Sequence, residues 1–252
     1  MAAGAIGRVQ LCGQFAVIAG GSRIDASLPG RRGRLLVAYL AGHRRQPCAR
    51  DELIDALWPQ GATDAAAATL TVLLSRVRAL LGPATIQGRA ALQLILPAGA
   101  IVDVEMAAAS LHQAESAVAL GEWRRAWSAA LAAQLTAGRT YLAGYDAPWI
   151  DDERARLDLM HQAALTAYSE ACLGIGGTEL PGAERTARRI IAHAPLSETG
   201  YRLLMLAQAA RNDISSALRT YEQLRTILAE ELGADPCAQI RDLHQQLLVT
   251  GR

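Results

Sequence analysis

From Val102 onward, apolar residues recur at three- and four-residue spacing in stretches of about 12 to 20 residues, and almost no alternating run interrupts them. The stretches are separated by short breaks at Gly121, Gly174 to Gly177, Pro195, Asn212-Asp213 and Gly233 to Pro236. This pattern leaves few folds open. Consecutive helices of that length, each apolar on one face, must bury those faces against one another, so residues 101–252 are expected to form an all-α unit of stacked helices.

Small residues around one break, Ala207, Ala210 and Ala217, together with Tyr221, let neighbouring helices approach closely. The arrangement is similar to tetratricopeptide packing, in which helix pairs share a core and leave a concave face. The period is irregular, so the unit is TPR-like. Trp123, Trp127 and Trp149 are expected in cores and between helices and not in a ligand cage, because aromatic rings dominate core burial.

The first hundred residues follow a different rhythm. Arg8 to Leu11, Phe15 to Ile18 and Arg23 to Leu28 read as strands separated by glycine turns. A helix is predicted over Arg31 to Gly42, with Leu35, Leu36, Tyr39 and Leu40 inward and Arg31, Arg32 and Arg34 crowding its first turn. Cations there oppose the helix dipole; they are either solvated or relieved by a docked phosphate. A short strand over Gln46 to Ala49, a helix over Arg50 to Trp58, a loop over Pro59 to Thr63, a further helix, and strands Thr85 to Gln87 and Ala91 to Ile95 complete the order. Sheet, helix, short strand, helix, helix and hairpin in that order define a winged helix-turn-helix with an added N-terminal sheet. The fold class is thus mainly α: an α+β winged helix followed by TPR-like helices, with the division placed at residues 1–100 and 101–252.

The third helix of this set lies in Asp64 to Pro83, DAAAATLTVLLSRVRALLGP. Thr63 or Asp64 is placed to cap it, and Gly82-Pro83 stops it. Leu70, Leu73, Leu74, Val77, Leu80 and Leu81 form its buried stripe. Thr69, Thr71, Ser75, Arg76 and Arg78 remain, hydroxylic and basic with no acid after Asp64. A face of one sign favours an anionic partner, although two arginines on a helix also serve as a plain solvated face.

Charge supports the first reading. Residues 1–100 hold 11 arginines against 5 acids, a balance of +6, and residues 101–252 hold 14 against 19, a balance of −5. The chain contains no lysine, which excludes Schiff-base chemistry and a P-loop lysine. His43, His112, His161, His193 and His244 are isolated, and no nucleophile or metal motif occurs, so neither catalysis, metal nor cofactor is expected. Cys12, Cys48, Cys172 and Cys237 read as small buried hydrophobes. No signal peptide or membrane span is evident, which makes the cytoplasm the expected location.

The segments RDELIDALWP and ATLTVLLSRVRALLG resemble the helices of OmpR-type winged helices as they occur in the SARP family of bacterial transcriptional activators. The segments PWIDDERARLDLMHQAAL and HAPLSETGYRLLMLAQAARNDISSALRTYEQLRTILAEELGADPCAQIRDLH are similar to the bacterial transcriptional activation domain of that family. The resemblance covers nearly the whole chain, without an ATPase or a phosphopeptide-binding module.

It implies a sequence-specific DNA-binding regulator, an activator that contacts RNA polymerase. Arg76 and Arg78 match the family's recognition arginines, and Thr69, Thr71 and Ser75 match positions that meet phosphate or base edges. Arg89 is the basic residue of the wing, and Arg31 and Arg32 join the DNA-contacting set. The wing departs from the family pattern, with Ala91-Leu92-Gln93-Leu94 where Gly-Tyr-Arg-Leu is common. By the same resemblance Pro59, Gln60 and Gly61 are a polymerase contact, or else a plain solvent-exposed turn. The partners implied are double-stranded DNA, RNA polymerase and a second copy, as a tandem pair or a symmetric dimer. The competing reading is a TPR-like protein-interaction adaptor with a degenerate winged helix.

Overall fold

The computed structural model describes residues 4–61, 64–82 and 84–250. The chain forms two compact units, Met1–Ala107 with Thr136–Asp158, and Ala108–Leu135 with Leu159–Arg252.

In the first unit, β1 (Ile6–Gln10), β2 (Ala16–Ala19), β3 (Ser22–Arg23) and β7 (Ile101–Val102) make one sheet in the order β3-β2-β1-β7. The first three are antiparallel, and β7 runs parallel to β1, pairing Ile101 with Arg8 and Val102 with Val9. The predicted strand Arg23 to Leu28 is mostly not a strand. Asp25 to Ser27 turn into a 3-10 helix, where the Asp25 carboxylate takes the Arg23 guanidinium at 2.6 Å. That local ion pair competes with an extended backbone. Directly after β7, the buried Asp103 carboxylate accepts the Leu11, Cys12 and Val104 N–H groups, binding the strand end to the start of the next helix.

The winged helix consists of α1 (Gly30–Gly42), β4 (Cys48–Ala49), α2 (Arg50–Leu57), α3 (Ala66–Leu81), β5 (Ile86–Gln87) and β6 (Ala91–Leu94). The strands form a second sheet, β4-β6-β5, in which Cys48 pairs with Leu92 and Ile86 with Leu94. Leu35, Leu36, Tyr39 and Leu40 of α1, Leu53 and Leu57 of α2, and Leu70, Leu73, Leu74, Val77 and Leu81 of α3 supply its core, whereas Leu80 is half-buried. The segment between residues 138 and 147, which the helical periodicity did not mark as a break, is irregular and belongs to this unit. It delivers Tyr141, which is buried, and leads to Trp149, whose indole N–H donates to the Ala56 carbonyl at 3.1 Å.

The helices of the remainder are α4 (Asp103–Ala119), α5 (Trp123–Ala137), α6 (Pro148–Ile175), α7 (Leu180–His193), α8 (Glu198–Ala210), α9 (Ile214–Leu232) and α10 (Ala238–Thr250). Successive helices α7 to α10 pack on one another. Tyr201, Met205, Ala217, Tyr221, Leu224, Leu228, Ile240 and Leu247 form their core, and Thr220 donates to the Gln208 side chain at 2.9 Å inside it. Ala207 and Ala217 are contact residues as expected; Ala210 is exposed instead. Trp127 packs on Tyr168 and donates to Glu179, while Trp123 lies where a Cβ on Gly174 would fall, so that glycine is required by close approach. Cys12, Cys48 and Cys172 are buried, and burial pushes the Cys48 and Cys172 thiols up to about 11. Cys237 is exposed, contrary to expectation, because it lies in the loop before α10.

Candidate nucleic-acid interface

The α3 helix begins without a side-chain cap: its N-cap is Ala65, and Asp64 does not serve. Thr63 and the stop residue Pro83 lie outside the described residues. Gly82, at φ 95°, ends the helix in a conformation that suits glycine.

On the exposed face Thr69, Thr71, Ser75 and Arg76 are all open to solvent, while Arg78 is half-buried at its edge. Thr69 and Thr71 donate their hydroxyls back to the Ala65 and Ala67 carbonyls, both at 2.9 Å. Val72 is 51% exposed among them, an apolar residue that the periodicity left unassigned. It places an apolar surface directly beside hydroxyls and a guanidinium.

The two arginines of this helix have different surroundings. Arg78 donates from Nε to the Ile86 carbonyl at 3.0 Å and from Nη2 to the Gly88 carbonyl at 2.9 Å. Both acceptors belong to the hairpin β5–β6, so Arg78 braces the wing from below. Arg76 has no hydrogen-bond or ion-pair partner among the described residues. Among the described residues of the exposed α3 face it is thus the guanidinium without a described partner.

A residue absent from the sequence-based set completes the arrangement. Arg50, the first residue of α2, donates to the Thr71 hydroxyl at 2.6 Å and reaches the Arg89 carbonyl at 3.5 Å. One guanidinium thereby links α2, α3 and the wing tip. No local signal points to it, because its partners lie 21 and 39 residues away. Gly88, at φ 94°, makes the tight turn, and a Cβ there would fall on the Ala91 carbonyl oxygen. Arg89, at the tip, is exposed. Gln93, which replaces the family's usual arginine, donates to the Arg44 carbonyl at 2.9 Å.

Arg31 and Arg32 are exposed and Arg34 is half-buried, and each also has a neighbour within the protein. Arg31 donates to the Gly144 carbonyl at 2.8 Å and lies 4.5 Å from the Tyr145 ring centroid. Arg32 lies 4.9 Å over the Trp58 ring, and Arg34 donates to the Asp25 carbonyl at 3.1 Å. Arg31 and Arg32 line a cleft of about 900 Å³ with Pro59, Gln60, Gly61 and Thr69, so the loop after α2 and the start of α3 share one concavity with the α1 N-terminus.

Among the described residues no group of three or more His, Cys, Asp and Glu could hold a metal, and no helix is long and apolar enough to cross a membrane.

A winged helix carrying a braced basic hairpin, together with stacked helices, defines the class. Residues 102–248 match the bacterial transcriptional activator domain, and the chain belongs to that family. The resemblance to SARP-type regulators holds across related proteins. The chain is 30% identical over 228 residues to the regulatory protein AfsR of Streptomyces griseus, covering 90% of this chain and 23% of that protein. It is 28% identical over 253 residues to the transcriptional regulatory protein EmbR of Mycobacterium tuberculosis, covering 94% and 62%, and 25% identical over 246 residues to MoaR1 of the same species, covering 90% and 75%. The chain thus spans less than a quarter of AfsR and under two thirds of EmbR. A solved structure of M. tuberculosis EmbR in complex with low affinity phosphopeptide shares the fold, with a TM-score of 0.83 at 23% identity over 96% of this chain and 65% of that one.

Proposed function

We propose that the protein is a sequence-specific DNA-binding transcriptional regulator that activates by contacting RNA polymerase, with residues 1–100 as DNA reader and 101–252 as activation domain. The observation that carries the reading is the division of labour among three arginines. Arg78 and Arg50 hold the wing and Thr71 in place, leaving Arg76 free beside Val72 and Ser75. In this reading α3 enters the major groove, Arg76 meets a guanine or a phosphate, Thr69 and Ser75 meet phosphate, and Arg89 reaches the neighbouring backbone. Arg31 and Arg32 flank the groove edge, and the loop Pro59 to Gly61 faces the polymerase. Two copies bind direct repeats in tandem.

The regulatory names of the relatives support the functional class, and the positive balance of the first hundred residues supports the nucleic-acid partner. The test is fluorescence anisotropy of duplex fragments from upstream of the protein's own gene, titrated across salt. The slope of log K against log salt approximates −0.9 times the number of phosphates neutralised. Tight binding to particular fragments with a steep slope is expected. Failure to bind any fragment more tightly than random duplex overturns the proposal in favour of a protein-only adaptor.

A further inference from the structure

On the first unit a second recess, of about 470 Å³, is lined by Tyr39, Trp58 and Trp149 and by two acids of α2, Glu52 and Asp55. The acids stand three residues apart on α2 and share a face. Tyr39 donates its hydroxyl to Glu52 at 2.7 Å, and the other Glu52 oxygen accepts the Ala49 N–H at 3.2 Å. Both donors are neutral. Trp149 stands edge-on to Tyr39, with centroids 5.0 Å apart at 82°, and is held by its bond to Ala56.

The chain has 25 arginines, yet none lines this recess, and among the described residues neither Glu52 nor Asp55 meets a cationic side chain. His43 stacks on one face of Tyr39 at 4.2 Å and Arg32 lies over one face of Trp58 at 4.9 Å, so Trp149 and the remaining face of Trp58 are the rings left to a ligand. Together with the two unneutralised carboxylates beside them, they repel phosphate and attract a cation with flat apolar faces. Guanidinium fits that description better than ammonium, because it stacks on rings and donates in plane to carboxylates. The same protein stacks Arg32 on Trp58 and Arg31 on Tyr145.

We infer that the recess formed by Tyr39, Trp58, Trp149, Glu52 and Asp55 is a docking site for an arginine side chain presented by a partner protein. Pro59 and Gly61 border it, so taking that partner to be RNA polymerase rests on the loop contact proposed above.

The test follows the four tryptophan indole N–H signals of the full chain by ¹H–¹⁵N NMR, each assigned by Trp→Phe substitution, during titration with N-acetylarginine methylamide. The neutral isostere N-acetylcitrulline methylamide is the control. Saturable shifts at Trp58 and Trp149, absent at Trp123 and Trp127 and absent with citrulline, are expected. Asp55→Asn, which disturbs none of the described hydrogen bonds, should weaken the probe up to about fivefold, the effect of one solvent-exposed ion pair. Equal shifts with both probes, or no saturable shift, overturns the site. Binding to polymerase holoenzyme by interferometry forms the second arm, with DNA affinity expected to be unchanged in Asp55→Asn. If the probe binds but polymerase affinity is the same for wild type and variant, the site stands and polymerase is refuted as the source of the arginine. If wild type fails to bind polymerase at all, the loop contact is refuted while the probe result still decides the recess.

Discussion

Arg76 and Arg78 sit two residues apart on one helix, and the structure assigns them separable effects. Arg78 makes two charged hydrogen bonds to wing carbonyls, at 3.0 and 2.9 Å. Such bonds contribute roughly 1.5–3 kcal/mol each when buried, but the guanidinium is half-exposed, so the pair is worth about 1–2 kcal/mol. Arg78→Ala should therefore lower the melting temperature by about 2–8 °C for a chain of this size. Arg76→Ala removes a side chain without a described partner and should change stability by less than about 0.5 kcal/mol.

DNA affinity should respond in the opposite order of directness. If Arg76 forks onto a guanine, its loss costs roughly 1–3 kcal/mol, or about 5- to 150-fold, on the cognate fragment only. Arg76→Lys then fails to restore binding, because an ammonium cannot make the planar pair. If Arg76 neutralises a phosphate, the salt slope falls by about 0.9 and lysine restores it. Calorimetry and anisotropy on the same three variants separate the cases. An Arg78→Ala protein that melts with wild type, paired with an Arg76→Ala protein of undiminished affinity, would refute the assignment of brace and reader.

Gly88→Ala forces a Cβ onto the Ala91 carbonyl oxygen at a positive φ, so roughly 1–3 kcal/mol of strain must reshape the turn; reduced DNA affinity with little change in the helical far-UV signal is expected. Glu184 is held below its ordinary value of 4.5 by Arg188, with Arg211 adding to it. A lowered acid stabilises the fold fully above 4.5 and loses that contribution as pH falls through its depressed value, so the wild-type advantage over Glu184→Gln in urea unfolding should vanish in acid. Leu224→Ala empties a fully buried position in the α8–α9–α10 core and should cost about 2–5 kcal/mol, read from the urea midpoint.

Periodicity exposed most of the winged helix because each element buries one face: the α3 stripe and the hairpin around Gly88 lie close to where their spacing puts them. It also located the breaks between α6 and α10, since glycine, proline and Asn-Asp pairs stop helices by local chemistry. What stayed hidden is non-local. Strand β7 has two residues and exists because β1 offers a parallel edge and Asp103 collects N–H groups from Leu11 and Cys12. The roles of Arg78 and Arg50 depend on carbonyls that only the closed hairpin brings into reach. A helical wheel shows that Arg78 is near the surface, but it does not show that its donors are already taken. The aromatic and acidic recess was equally invisible, because Trp149 joins α1 and α2 from a distant segment.

The partners of the arginines explain how a nearly neutral chain keeps a positive face. In the second unit several meet carboxylates: Arg125 with Glu122, Arg188 and Arg211 with Glu184, Arg202 with Glu170, and Arg225 with Glu222, while Arg219 donates to the Ser216 hydroxyl. In the first unit Arg23 pairs with Asp25 and Arg44 and Arg45 with Glu105, but Arg31, Arg34, Arg50 and Arg78 meet carbonyls or hydroxyls, and Arg32 meets a ring. A carbonyl orients a guanidinium without cancelling its charge, so the side chain loses part of its roughly 2 kcal/mol of rotamer entropy before any ligand arrives, while its field persists. Arg50→Lys tests this. It keeps the charge but gives up the fork that joins Thr71 to the Arg89 carbonyl, so DNA affinity should fall severalfold with an unchanged salt slope. A slope lowered by about one phosphate in Arg50→Ala and restored in full, together with wild-type affinity, by Arg50→Lys would instead make Arg50 a direct phosphate ligand, and the wing would owe its position to Arg78 alone.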